Sequence, residues 1–428
     1  MKVFKFGGAS VKDYGAVQNL GRILDMYSSS PLLVVISAMG KMTNALELLL
    51  NLVLKGQKED AKQKLSEISS FHLTIAFELF EDKNHPVFEI IRNYIQALED
   101  FCNQDEFLPY DIQYDSIVCY GELLSTAIVS QYLNDTSRAN VFMDARKLIE
   151  TDNTWRNARI FWDETTEKIR TDVLPILSEG NSIVTQGFIG ADKNGNSTTL
   201  GREGSDFSAA IFAFAIDADD VTIWKDVPGV LNADPKYYPN AVKLGEISYE
   251  EAIELAYYGA TIIHPKTIKP LENKQIPLYV KSFINPKTPG SVIQNPKDDY
   301  QSTPSYIFKN NQVLISISPR DFSFIAEDNL KDIFEVFGKY GLRIHLMQNS
   351  AVSFSVVTDD TEGRTLAAIE ELMKQYRVRY NTGLMLTTIR HYNQETIAKV
   401  LQGRTILLEQ RSRVTVQFVT AESSIRDF

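Results

Sequence analysis

From Val3 to Val280 the chain alternates short apolar, β-branched runs with longer amphipathic stretches, and few folds accept that order. Val3–Phe6, Leu32–Ser37, Ser116–Val118, Ile183–Ile189, Val221–Trp224 and Pro277–Val280 read as strands. Met42–Lys55, Gly121–Tyr132 and Asp206–Ile216 read as helices. Strands that are apolar along their whole length need cover on both faces, and crossover helices between parallel strands supply it. The expected fold is therefore α/β, a mostly parallel sheet sandwiched by helices. Ligands of such sheets collect beyond the carboxyl ends of the strands, so chemistry is expected in the loops that follow these runs.

At 428 residues the chain exceeds the roughly 250–300 at which one core stops growing, so a second domain is expected. From Lys287 to Ser305 the composition shifts to Pro, Lys, Asp, Ser and Thr, with Pro286, Pro289, Pro296 and Pro304. That stretch reads as the end of a first domain, 1–297, and a linker. A weak repeat fills 303–428. Val313–Ser318 (strand), Asn329–Tyr340 (helix), Leu342–Met347 and Val352–Thr358 (strands) lead to Arg364–Tyr376 (helix). Leu384–Ile389, Glu395–Leu401, Thr405–Leu408 and Val414–Val419 replay the pattern. Two βαββ runs suggest paired ferredoxin-like modules.

Composition excludes several functions. With 44 Lys+Arg against 55 Asp+Glu the formal charge is −11, without the basic face of a nucleic-acid or anionic-membrane binder. No stretch approaches the ~20 apolar residues of a membrane span. Cys102 and Cys119 are too few for a disulfide framework or a four-thiolate zinc site, so a reducing cytoplasm is expected. His72, His85, His264, His345 and His391 pair with no other His or Cys at ligand spacing, and no metal-ligating set is assigned.

Four loops carry the chemistry. Lys5-Phe6-Gly7-Gly8-Ala9-Ser10 follows the first strand; adjacent glycines let backbone N–H groups approach an anion, and the lysine adds charge, although alone this is also a tight turn. Gly201-Arg202-Glu203-Gly204-Ser205-Asp206 opens a helix, with Ser205 as the expected N-cap, and a helix N-terminus favours anions. Tyr120-Gly121-Glu122 begins another helix, and Trp224–Val230 with Asn232–Pro235 forms a loop punctuated by Pro and Gly.

Taken together these pieces resemble the aspartate kinases of the amino-acid kinase family. The resemblance covers Lys5–Ser10, Ser37–Asn44, Gly121-Glu122, Val184–Gly190, Thr198–Asp206, Trp224–Pro235 and Tyr258–Pro265, in family order, and the C-terminal repeat resembles paired ACT modules. It implies phosphorylation of the aspartate side-chain carboxylate by ATP with Mg2+, the first step toward lysine, threonine and methionine. It implies Lys5 and Asp206 as catalytic residues, and Ser37, Thr43, Glu122, Arg202 and Ser205 as the aspartate site. The nucleotide would meet Lys5, Phe6, Gly7 and Gly8, the loop with Lys225, Asp226, Leu231 and Lys236, and Thr261. A homodimer through the C-terminal modules is also implied.

The chain departs from the family pattern at Ala9 (usually Thr), Glu203 (often Gly), Lys225 (commonly Thr), Leu231 (Tyr) and Thr261 (Lys). Glu203 is expected to place a negative charge near phosphate, and Lys225 to replace the cation missing at Thr261. His345 and Ala351 stand where lysine-sensing relatives use acids, so altered or absent lysine inhibition is expected. Two rival readings remain at this point: a kinase of glutamate or another acid, and a weakened amino-acid sensor on the same fold.

Overall fold

The computed structural model describes residues 1–28, 30–104, 108–136, 138–260, 263–295, 303–321 and 323–422. The chain divides into two compact units. One comprises Met1–Val230, Lys243–Ile253 and the described part of Ile262–Asp298; the other comprises Leu231–Val242, the described part of Glu254–Thr261, and the described residues that follow Asp299.

The first unit is built on strands β1 (Lys2–Phe6), β2 (Leu32–Ile36), β3 (Asn140–Met143), β4 (Ser182–Gln186), a hairpin of β5 (Ile189–Ala191) and β6 (Ser197–Thr199), β7 (Asp220–Lys225), β8 (Glu246–Ile247), β9 (Leu278–Ser282) and β10 (Ser291–Ile293). Eight of them form one sheet in the order β3-β4-β2-β1-β7-β9-β10-β8, parallel except where β10 meets β9. All five residues of β2 are buried, as a strand covered on both faces requires. Phe4, Phe6, Val34, Ile36 and Trp224 pack here with Val17 and Leu20 of the helix Tyr14–Asp25 and Ile128 of the helix Tyr120–Asp135. β1 lies between β2 and β7, so the chain leaves it to one side first and returns to the other later. A crevice opens at such a reversal, beyond the carboxyl ends of the strands.

Three local readings need correction. Ser116–Val118 is not a strand but the end of the helix Tyr110–Val118, and Cys119 caps that helix. The run is too short for periodicity to separate strand from helix, and its two turns upstream carry buried Gln113 and Asp115, which mask an apolar stripe. Ile183–Ile189 is two strands, interrupted at Phe188, whose φ is 68°. The expected linker begins later than Lys287, because Ser291–Ile293 pairs with β9; its residues 296–302 lie outside the described ones.

The second unit carries β11 (Ser305–Pro319), β12 (Ile344–Asn349), β13 (Phe354–Asp359), β14 (Tyr376–Arg390), β15 (Arg404–Arg411) and β16 (Thr415–Glu422) in one antiparallel sheet ordered β12-β13-β11-β14-β16-β15. Helices Glu327–Lys339, Arg364–Met373 and Gln394–Leu401 complete two modules of ferredoxin-like order. The repeat is interleaved: Gln312–Pro319 pairs with the first half of β14, whereas Ser305–Lys309 pairs with Leu386–Arg390. The second module thus borrows a strand that precedes the first.

Candidate active site

The loop after β1 is shaped by a close approach. Gly40 N donates to Gly8 O at 3.0 Å, and a Cβ on Gly8 would stand 2.7 Å from Gly40 O and 2.8 Å from Ala38 O. Only glycine fits, which draws the loops after β1 and β2 together. Gly7 has an ordinary φ of −78°, and a Cβ there would come within 3.3 Å of Lys5 Nζ.

The helix Gly204–Ala215 brings Asp206 under this loop in its first turn. Asp206 is 2% exposed, and Lys5 Nζ lies 2.6 Å from its Oδ1. Lys225, the last residue of β7, places Nζ 3.5 Å from Oδ2. Burial pushes the Asp206 carboxyl up, but Lys5 and then Lys225 outweigh it and hold the group ionised below its ordinary range. Two cations on one carboxylate leave a net positive charge, as a site for a polyanion needs.

Glu122 lies in the first turn of the helix Tyr120–Asp135 and is 2% exposed. Its Oε1 accepts from Ala38 N at 3.2 Å, and Ser125 Oγ donates to Ser37 O at 2.7 Å, so this helix holds the loop after β2. Glu122 Oε2 has no partner among the described residues. Burial raises its carboxyl to about 8, against which the Ala38 N–H and Lys5 pull down.

A cavity of about 520 Å³ joins these groups, within the range of small-molecule sites. Lys5, Gly8, Ser37, Thr43, Glu122, Arg202, Ser205, Asp206 and Lys225 line it, and so do Ala38, Tyr114, Arg156, Phe188 and Glu203. Of the last five, Tyr114 and Arg156 fall outside every motif read from the sequence. Nothing in their local pattern marks them, because the helix Tyr110–Val118 and the turn at 156 reach the cavity only through the tertiary fold.

Phe6, Asp226, Leu231 and Lys236 are not among the residues that line this cavity. Phe6 is fully buried and stacked on Trp224 with ring centroids 6.0 Å apart, so its side chain belongs to the core. Asp226 is exposed and outside the cavity lining. Leu231 and Lys236 belong to the second unit. Thr261 lies outside the described residues. Ser205 is not the N-cap; Glu203 is, with φ 54°. A left-handed N-cap explains why glycine suits that position. Glu203 Oε2 accepts from His264 N at 2.9 Å, so the carboxylate expected near phosphate is engaged by backbone.

Comparison with known proteins gives a consistent picture. Residues 1–282 match the amino acid kinase family. The chain is 30% identical over 396 residues to the lysine-sensitive aspartokinase 3 of Escherichia coli, covering 90% of this chain and 86% of that protein. It is 28% identical to the chloroplastic aspartokinase 3 of Arabidopsis thaliana, over 96% of this chain and 74% of the relative. Among solved structures, E. coli aspartokinase III with lysine and aspartate matches at a TM-score of 0.83 and 28% identity, covering 98% of this chain and 95% of that one. The same enzyme with aspartate and ADP matches at 0.81, covering 98% and 96%.

Proposed function

Because this chain belongs to the amino acid kinase family and, within it, to the aspartokinases, we infer that it transfers the γ-phosphoryl group of ATP to the side-chain carboxylate of aspartate. It is an aspartate kinase, and the products are 4-phospho-L-aspartate and ADP. The observation that carries the mechanism is the Lys5–Asp206–Lys225 cluster in the same cavity as Glu122 and Arg202.

A carboxylate acceptor is already ionised at neutral pH, so the reaction needs no general base. One acceptor oxygen forms the new bond to phosphorus while the bond to the β–γ bridging oxygen breaks and ADP leaves. The task is to bring two anions together and neutralise charge in the transition state. Lys5 suits the transferring phosphoryl group, with Asp206 holding its ammonium in place, and the N–H groups of Gly7 and Gly8 add donors from the adjoining turn. Lys225, on the other oxygen of Asp206, supplies the cation on the nucleotide side that Thr261 lacks. Glu122 suits the substrate ammonium and Arg202 a carboxylate, bidentately; Ser37, Thr43 and Ser205 add polar contacts.

Mg2+ binds through phosphate oxygens, waters and one or two carboxylates. Asp206 is a buried acid of the cavity, but both of its oxygens face lysines, which fits a metal carried in on the nucleotide rather than held by a protein cage. When bound it supplies neutralising charge to the phosphates. The exposed edge strands β12 and β15, with Met347, Ile406 and Leu407 exposed, support a homodimer through the second unit. Among the described residues no helix is long and apolar enough to cross a membrane; a cytoplasmic location rests on composition.

Three variants test the roles. Lys5→Ala lowers kcat by orders of magnitude, Arg202→Ala chiefly raises the aspartate KM, and Lys225→Ala lowers kcat/KM for ATP by about 10–100-fold, the worth of a charged hydrogen bond. Near-wild-type turnover by Lys5→Ala contradicts the assignment.

A further inference from the structure

Arg156 lies in the left-handed backbone region, with φ 64°, where an arginine is uncommon. Its N–H donates to both oxygens of the buried Asp115 carboxylate, at 3.2 and 3.0 Å. The same carboxylate accepts from Thr199 N at 2.9 Å and from Thr199 Oγ1 at 2.6 Å. The Arg156 carbonyl oxygen packs against Gly201, where a Cβ would stand 3.1 Å from it. The turn is therefore fixed both to β6 and to the glycine loop that carries Arg202.

From this turn the side chain runs over Tyr114, with the guanidinium carbon 4.5 Å from that ring centroid and 5.4 Å from that of Tyr110. It lines the cavity together with Tyr114, Glu122 and Arg202. Among the described residues its one side-chain hydrogen bond is a 3.4 Å contact from Nη1 to Asp111 Oδ1. A guanidinium has five N–H donors, so most of this fork faces no protein acceptor. Stacking on an aromatic face orients such a fork for a carboxylate.

Aspartate sets a problem that this arrangement answers. Both of its carboxylates are ionised at neutral pH, so only position can decide which one meets the phosphoryl group. Resting on the aspartate kinase reading, we propose that Arg156 is a specificity-determining residue that binds the α-carboxylate of the acceptor alongside Arg202. The side-chain carboxylate is then left to face the Lys5 end of the cavity. No contiguous motif marks this residue, because its orientation arises from a turn held by the Asp115 clamp.

The test compares aspartate with its α-amide, which keeps the reacting carboxylate and loses the α charge, in wild-type enzyme and in Arg156→Gly. Glycine adopts a φ of 64° without strain, so the variant should melt within a few degrees of the wild type. The proposal predicts that kcat/KM for aspartate falls about 10-fold or more in Arg156→Gly, through KM, while that for the α-amide changes little. The preference for aspartate over its amide thus shrinks by the same factor. The ATP KM stays as it is, and Arg156→Lys recovers part of the loss. Equal losses for both acceptors, or no loss for either, overturn the proposal and leave the activity standing. A wild-type enzyme that phosphorylates no aspartate overturns the reading on which it rests.

Discussion

Glu122 illustrates how a single buried group couples recognition to pH. With its carboxyl raised to about 8 by burial, the free protein holds this group protonated at neutral pH. A substrate ammonium favours the ionised form, so binding pulls the proton off. The aspartate KM should therefore fall as pH rises from about 6 to about 8, until the substrate's own ammonium titrates. Calorimetry at pH 7 in buffers of different ionisation enthalpy should show close to one proton released per aspartate, and Glu122→Gln should abolish both effects. A flat KM with no proton release contradicts the assignment. The sign for stability is opposite: a carboxyl raised from 4.5 contributes fully below that value, and its contribution is lost as pH passes through about 8. At this scale the sequence was informative where motifs are contiguous: Lys5, Glu122, Arg202 and Asp206 line one cavity. It was silent where contacts are made in space. Asp115 belongs to no motif of the sequence, and the pairing of Lys225 with Asp206 joins positions on different elements.

Among the secondary-structure elements, the loops after β1 and β2 behave as one piece because Gly8 lets them touch. Gly8→Ala would force a methyl to 2.7 Å from the Gly40 carbonyl, and overpacking of this kind costs about 1–3 kcal/mol. Thermal unfolding should show the lower stability, and steady-state kinetics should show higher KM values for both substrates, since the displaced segment carries Ser37 and Thr43. An alanine variant with unchanged melting temperature and kinetics would remove this explanation. Most strands were legible because apolar β-branched runs such as Leu32–Ile36 have no other use. Others were not, and two of them show why. The helix Tyr110–Val118 hides its period behind buried polar residues, and the strand Ser305–Lys309 follows a Pro-rich stretch and pairs with Leu386–Arg390, far along the chain. Local pattern carries no record of such distant pairing.

For the molecule as a whole, we propose that the second unit carries regulation and assembly. There His345 lies 2.9 Å from both Lys309 Nζ and Asp359 Oδ2. Burial already pulls the Lys309 ammonium down to about 8, with Asp359 opposing and Arg343 adding to the effect. A neighbourhood that disfavours one ammonium is a poor host for a second, in contrast to the acids expected of lysine-sensing relatives. Light scattering should give a dimer, and lysine should inhibit weakly or not at all; a monomer contradicts the first expectation and strong sub-millimolar inhibition the second. The central claim, a kinase that phosphorylates the aspartate side chain, is tested most directly by trapping the product. Incubation with ATP, Mg2+ and hydroxylamine should yield aspartyl hydroxamate from aspartate, far less product from glutamate, and almost none with Lys5→Ala. Equal or greater product from glutamate, or no hydroxamate from either acid, would contradict the account.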